Sequence, residues 1–180
     1  MSPRKKNETE LHLALLGFFL ENNFHGYELF KYLTQESEFG KIWFIKQSQL
    51  YNFLDRLHID GYLHQEIQEG DLYPDRKKFS ISETGRLKFL GWLVEPVSHG
   101  RDMRQLFLLK LFFSMNTEKK LAKELVCKQK ATCLRWFEEI RKNDKNEETE
   151  IQYLIADYRV RQIQAMLDWL NNIEQKILFK

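Results

Sequence analysis

The sequence is poor both in residues that break a chain and in residues that cross-link one. It holds 3 Pro and 8 Gly in 180 residues. That is too few for an all-β chain, which needs a turn between every pair of short strands, and far too few for a collagen-like chain. Two cysteines, Cys127 and Cys133, cannot build a disulfide framework. Six positions apart in a helical pattern, they stand about 240° apart around the axis and share no face. A reducing, cytoplasmic compartment is expected. Long apolar runs are missing as well. The longest, Leu11 to Leu20, contains His12 and falls well short of the roughly 20 residues a bilayer demands. No membrane partner is expected. The opening Met1 to Glu8 is basic, but acids precede the apolar run and no small-residue cleavage site follows it, so no secretory signal is expected. Neither sign of charge dominates, with 28 Lys+Arg against 26 Asp+Glu and a net charge of +2.

Helical periodicity fills most of the chain. Asn7 and Glu10 form a capping-box-like start, and the run after them is apolar nearly all round, as in a central helix. A second helix follows Gly26, with Tyr27, Leu29, Phe30 and Leu33 as its stripe; Phe39-Gly40-Lys41 breaks the pattern. A third helix is predicted from about Gln47 to Asp60, stopped by Gly61. The period then changes to two. Tyr62 to Gln68 and Lys78 to Ser82 read as strands, joined by the turn-forming Glu69 to Asp75. Ser82 is the expected N-cap of a helix reaching Glu95, and Pro96 closes it. Residues 9–95 thus read helix-helix-helix-strand-strand-helix.

Everything after Pro96 reads as helix. Met103 to Met115 is densely apolar, a helix capped by Asn116 or Thr117 reaches about Lys142, and Asn143 to Glu148 is polar and loop-like. The last helix runs from about Thr149 to Leu178, with a stripe from Ile151 through Leu154, Tyr158, Ile163, Leu167 and Leu170 to Ile177. About 30 residues at 1.5 Å each span roughly 45 Å, longer than a small domain is wide. Such a stripe calls for a second copy of the chain. Mostly α architecture in two domains is therefore expected, 1–95 for binding and 96–180 for helical dimerisation.

Three helices, a two-stranded hairpin and a helix are the parts of a winged helix-turn-helix, a module that sets one helix into the DNA major groove and a hairpin on the backbone. Helical-wheel arithmetic suits the third helix to that task. With Leu50 at zero, Phe53, Leu54 and Leu57 fall within about 60° of it, while Ser48, Gln49, Asn52, Asp55 and Arg56 lie between about 140° and 260°. Amides can bond adenine and arginine can bond guanine. Lys46 and Gln47 stand at the N-terminus of this helix, where phosphate is favoured. Arg76, Lys77 and Lys78 open the second strand, within reach of phosphates. The same polar face also suits a solvated helix, and the same triplet also suits a merely soluble surface. Residues 1–95 carry 12 Lys+Arg against 14 Asp+Glu, a net of −2, and residues 96–180 carry 16 against 12, a net of +4. Binding to DNA would rest on local cations, with Glu28, Glu36 and Glu38 turned away.

Ala14-Leu15-Leu16-Gly17, then His25-Gly26-Tyr27-Glu28-Leu29, resembles the opening of PadR-type transcriptional regulators. Ser48 to Leu57 followed by Asp60-Gly61-Tyr62-Leu63 is similar to their recognition helix and its exit, and Arg76 to Arg86 to their wing strand and following helix. Phe107 to Phe113 and the two long helices resemble the branch with a helical dimerisation region. The resemblance implies a regulator that binds operator DNA as a homodimer, most often as a repressor. It puts Ser48, Gln49, Tyr51 and Asn52 at the DNA, with Arg76 and Lys77 on the wing. Asn52 stands where the family often has Pro, and His58 where it often has Glu, which leaves the operator sequence open.

The five histidines show no metal-ligand spacing, and no phosphate loop, dinucleotide fingerprint or nucleophile elbow occurs. Neither metal, cofactor nor catalysis is expected. The 4 Trp, 7 Tyr and 14 Phe suit a helical core and interface, and equally the wall of a cavity for a small aromatic effector. Two other functions compete with DNA regulation: a small-molecule sensor without specific DNA binding, and a protein-interaction adaptor. The adaptor would show an apolar patch on the third helix, and its wheel shows none.

Overall fold

A computed structural model describes residues 10–36, 38–68, 76–143 and 149–178. Asn7, the basic Arg4-Lys5-Lys6 arm, the hairpin tip 69–75 and the polar stretch 144–148 lie outside the described residues. The chain divides into two compact units, one ending at Leu93 and taking in Leu108–Phe113, the other made of Val94–Phe107 and the residues from Ser114 onward.

The first unit opens with His12–Phe19, whose residues His12 to Leu16 and Phe19 are buried, as a near all-round apolar run requires. Its turns are tighter than those of an α-helix, in 3-10 geometry. A strand too short for periodicity to reveal follows, β1 (Phe24–His25). Next come α1 (Gly26–Lys31), continued by a π turn, and α2 (Phe39–Ile42). The expected break at Phe39-Gly40-Lys41 is in fact helical. Phe39 is fully buried among the rings of Phe18, Trp43 and Phe113, and that burial overrides the poor helix propensity of Gly40. Then α3 (Gln47–Ile59), β2 (Leu63–Gln68), β3 (Arg76–Ile81) and α4 (Glu83–Leu93) follow in the order read from the sequence.

The sheet is antiparallel, in the order β1-β3-β2. β3 pairs Phe79 with Phe24 on one side and with Gln65 on the other. Leu13 to Leu16, Leu29, Leu50, Leu54, Leu57, Phe79 and Phe89 form the core. Two local devices fix the exit of α3. Gly61 takes φ +77°, its N–H bonds the His58 carbonyl at 3.0 Å, and the Tyr62 N–H bonds that of Leu57 at 2.8 Å, a Schellman ending. Ser82 then locks the start of α4 to that ending: its hydroxyl donates to the Gly61 carbonyl at 2.7 Å and accepts from the Gly85 N–H at 2.9 Å. A Cβ on Gly85 would collide with the Tyr62 carbonyl, so only glycine fits there.

Leu108–Phe113 is the middle of α5 (Leu106–Thr117). Within the first unit Phe113 packs edge-on to Phe18 and Phe89, and Lys110 is fully buried. The Lys110 ammonium donates to the Trp92 carbonyl at 2.7 Å, near the C-terminal end of α4, and lies 4.6 Å from the Trp92 ring centre.

The second unit is built on α6 (Lys119–Asn143) and α7 (Glu150–Ile173). The Thr149–Gln152 capping box starts α7, and a π turn through Leu178 prolongs it. Before them the chain makes a 3-10 turn, Gly100–Arg104, which buries Met103; the helix expected from Met103 begins only at Leu106. Gln129 of α6 acts as a surrogate backbone for residue 97. It accepts from the Val97 N–H at 2.8 Å and donates to the Val97 carbonyl at 3.4 Å. The two ends of the α7 stripe differ. Ile163, Leu167, Leu170 and Ile173 are buried, while Ile151, Leu154, Ile155 and Tyr158 are exposed.

Candidate nucleic-acid interface

Every property of α3 that matters here follows from its two faces. Leu50, Leu54 and Leu57 are completely buried, and Phe53 sits half-buried between the rings of His12 and Trp43. On the other side Lys46, Gln47, Ser48, Asn52 and Arg56 are exposed and Gln49 is half-exposed. The first turn carries no acid and no side-chain cap. Its unsatisfied N–H groups and the Lys46 ammonium give this end a positive character. The polar face ends at Ile59, which is exposed on the last turn, where the wheel expected no apolar side chain.

Tyr51, which the resemblance puts at the DNA, is half-buried. Its ring packs against α1, where a Cβ on Gly26 would lie 2.6 Å from it. It sets the approach of α1 to α3, the two helices of the helix-turn-helix pair. The start of α1 is fixed by His25, whose N–H donates to the Glu28 carboxylate at 2.9 Å and whose ring lies 3.3 Å from the Lys77 carbonyl. Sequence reasoning missed His25, although a Glu three residues after an N-cap position is the available signal.

The wing cations do not act as one cluster. Strand alternation puts Lys77 on the side of the buried Phe79, and Arg76 and Lys78 on the opposite side. Lys77 reaches across to α3, where its ammonium pairs with Asp55 at 3.1 Å, both side chains half-exposed. Lys78 stands opposite Glu66 of β2 and His25 of β1, and Arg76 opposite Gln68. Arg56 is likewise held, its Nε 3.8 Å from the Asp60 carboxylate, which also lies 4.0 Å from the buried His12. Two acids of the first unit are spent locally. Glu28 caps α1, and Glu38 pairs with Lys41 at 2.8 Å, whose hydrogen bond and charge hold the Glu38 carboxyl below its usual value.

The second unit holds a cavity of about 640 Å³. Trp136, Ile140, Ile163 and Met166 supply apolar wall, Arg101 and Arg159 supply positive charge and Glu139 negative charge, with Arg101 3.7 Å from the Asp102 carboxylate. Among the described residues no group of His, Cys, Asp or Glu is placed to hold a metal ion.

The three-helix unit with its hairpin wing, and the polar outer face of α3, define a winged helix-turn-helix of the DNA-binding class. Residues 15–90 match the model of the transcriptional regulator PadR-like family, and residues 103–177 match that of the virulence activator alpha C-terminal region. Over residues 15–90 the chain is therefore similar to the PadR-like family of transcriptional regulators. A curated relative, the negative transcriptional regulator PadR of Bacillus subtilis (strain 168), is 24% identical over 103 residues; the match spans 57% of this chain and 56% of that protein, little more than half its length. Among solved structures, B. subtilis PadR in complex with operator DNA is 20% identical with a TM-score of 0.46, covering 91% of this chain and 96% of that one. The same protein with p-coumaric acid is 19% identical with a TM-score of 0.43, covering 95% and 99%.

Proposed function

We propose that this regulator binds a pseudo-palindromic operator as a homodimer and acts as a cytoplasmic repressor. The observation that carries the reading is the division of α3 into a wholly buried leucine face and an exposed face of amides, a hydroxyl and cations with no acid in its first turn. Ser48, Gln49 and Asn52 read base edges, and Lys46 and Gln47 meet phosphate at the helix N-terminus. Arg76, Lys77 and Lys78 supply backbone contacts that carry affinity without sequence information. Residues 1–95 form the DNA-binding domain and residues 96–180 the dimerisation domain, with Leu108–Phe113 contributed to the core of the former. The exposed first half of the α7 stripe supports dimerisation, because a row of Ile, Leu and Tyr left in water is unfavourable by about 25 cal/mol per Å². The cavity beside Trp136, with arginines at its wall, suits a small aromatic effector whose binding would release the operator. Selection of bound sequences from random duplex DNA tests the reading. It should return two inverted half-sites about one helical turn, or a multiple of it, apart. Recovery of unenriched sequence would contradict it.

A further inference from the structure

Phe44 is out of place for its residue type. It is 75% exposed, whereas every other described phenylalanine is buried or half-buried. Its backbone explains how. Trp43 is extended, with φ −144° and ψ 113°, and Lys46 at the α3 N-cap is extended too, with φ −78° and ψ 149°. Side chains alternate along such a segment. Trp43 and Ile45 point inward and are almost fully buried, and Phe44 and Lys46 point outward together. The outward pair runs directly into exposed Gln47 and Ser48 at the start of α3.

A partner that covers this spot must therefore suit a mixed surface. It must be compatible with Lys46, with an acid-free helix N-terminus and with amide and hydroxyl groups, and it must offer a small apolar patch to the ring. Duplex DNA meets these terms. Its phosphates suit the positive end, and in the major groove the 5-methyl group of thymine is an apolar feature at the base edge that phenylalanine can contact. We propose that Phe44 is a specificity-determining residue that packs against a thymine methyl at one position of each half-site. The inference rests on the DNA-regulator reading above and extends it to a residue outside the polar face of α3.

The test uses the full chain and an operator obtained by selection, with the same thymine of both half-sites replaced by uracil, one position at a time, which removes only the methyls. The wild-type chain should lose about 15-fold in affinity at one such pair of thymines, the size expected for two buried methyls. Phe44→Ala should lose about as much on the thymine operator and nothing more when those thymines become uracil. Phe44→Leu should recover most of the loss. Phe44→Ala binding within twofold of the wild type, or losses that simply add, would overturn the proposal, and a protein partner would then be the better occupant. The two readings fail separately. If Asn52→Ala relaxes sequence preference while Phe44→Ala leaves it intact, only the role of Phe44 falls; if the wild-type chain enriches no sequence, both fall.

Discussion

At the scale of single residues, the contact between Lys77 and Asp55 decides how the wing works. Sequence alone places Lys77 at a phosphate, whereas the structure ties it to α3 over 22 positions of chain. Both side chains are half-exposed, so the pair contributes under about 1 kcal/mol to stability. Its larger effect falls on binding, because Asp55 competes with phosphate for the Lys77 ammonium and sets a negative charge near the DNA. Asp55→Asn should raise affinity for all duplexes alike and leave the salt slope near that of the wild type, since Lys77 meets phosphate in both. Titrations of wild type and Asp55→Asn against unrelated duplexes at several salt concentrations check this; a slope steeper by about 0.9 in the variant would show that Asp55 keeps Lys77 from phosphate in the wild type. The two cysteines give a second residue-scale contrast. Cys127 is exposed and Cys133 is buried, with its thiol pushed up by burial against a weaker opposing hydrogen bond from Gln129. A thiol reagent should label one cysteine per native chain and two in denaturant. Because the folded thiol ionises later than the unfolded one, its contribution to stability is complete below about pH 8.5 and falls as pH rises beyond it. Urea unfolding of wild type and Cys133→Ala between pH 7 and 10 should show a steeper alkaline decline in the wild type.

At the scale of elements, the junction of α3, β2 and α4 depends on Ser82. Its hydroxyl satisfies the Gly61 carbonyl and the Gly85 N–H at once. Ser82→Ala should cost about 1–2 kcal/mol in urea unfolding, and Ser82→Thr, which keeps the hydroxyl, should cost less; no loss for alanine would mean that water replaces the hydroxyl. The two ends of this junction were legible in the sequence, Gly61 as a helix stop and Ser82 as an N-cap, but the bond that joins them across 21 positions was not. The bounds of α3 were legible from the same kind of local signal, together with its clean two-faced pattern. β1 was not legible, because two residues carry no period and Phe24–His25 is a strand only through its pairing with β3. The helical turn at Phe39 was hidden because the rings that bury it come from distant segments, Phe113 among them. Of the candidate site, the polar face of α3 could be read from spacing. The turn of Tyr51 toward Gly26 and the capture of Lys77 and Arg56 by acids could not, since each depends on which side chains tertiary packing brings together.

At the scale of the whole molecule, the proposed homodimer rests on the α7 stripe. Tyr158, at 62% exposure, and its neighbours Ile151, Leu154 and Ile155 form an exposed apolar row that a second copy would cover in that dimer. Light scattering at low micromolar concentration should give a single species of twice the chain mass, 43.6 kDa from a chain of 21.8 kDa. Removing residues 149–180 should leave an aggregating or weakly folded protein, whereas a folded, monodisperse monomer of the full chain would contradict the assembly. A dimer also sets two α3 helices about a two-fold axis, which is what a pseudo-palindromic operator requires.

The central claim is that the outer face of α3 reads sequence while the wing cations supply affinity. Its most direct test is the binding of wild type, Asn52→Ala and Lys77→Ala to selected and scrambled operator over a range of salt. Asn52→Ala should lose about 1–3 kcal/mol on the selected sequence alone, narrowing the ratio between the two DNAs with an unchanged salt slope. Lys77→Ala should weaken both DNAs equally and flatten the slope. Wild-type specificity ratio and salt slope in both variants would contradict the assignment of the DNA-contacting surface, even with the winged-helix fold intact.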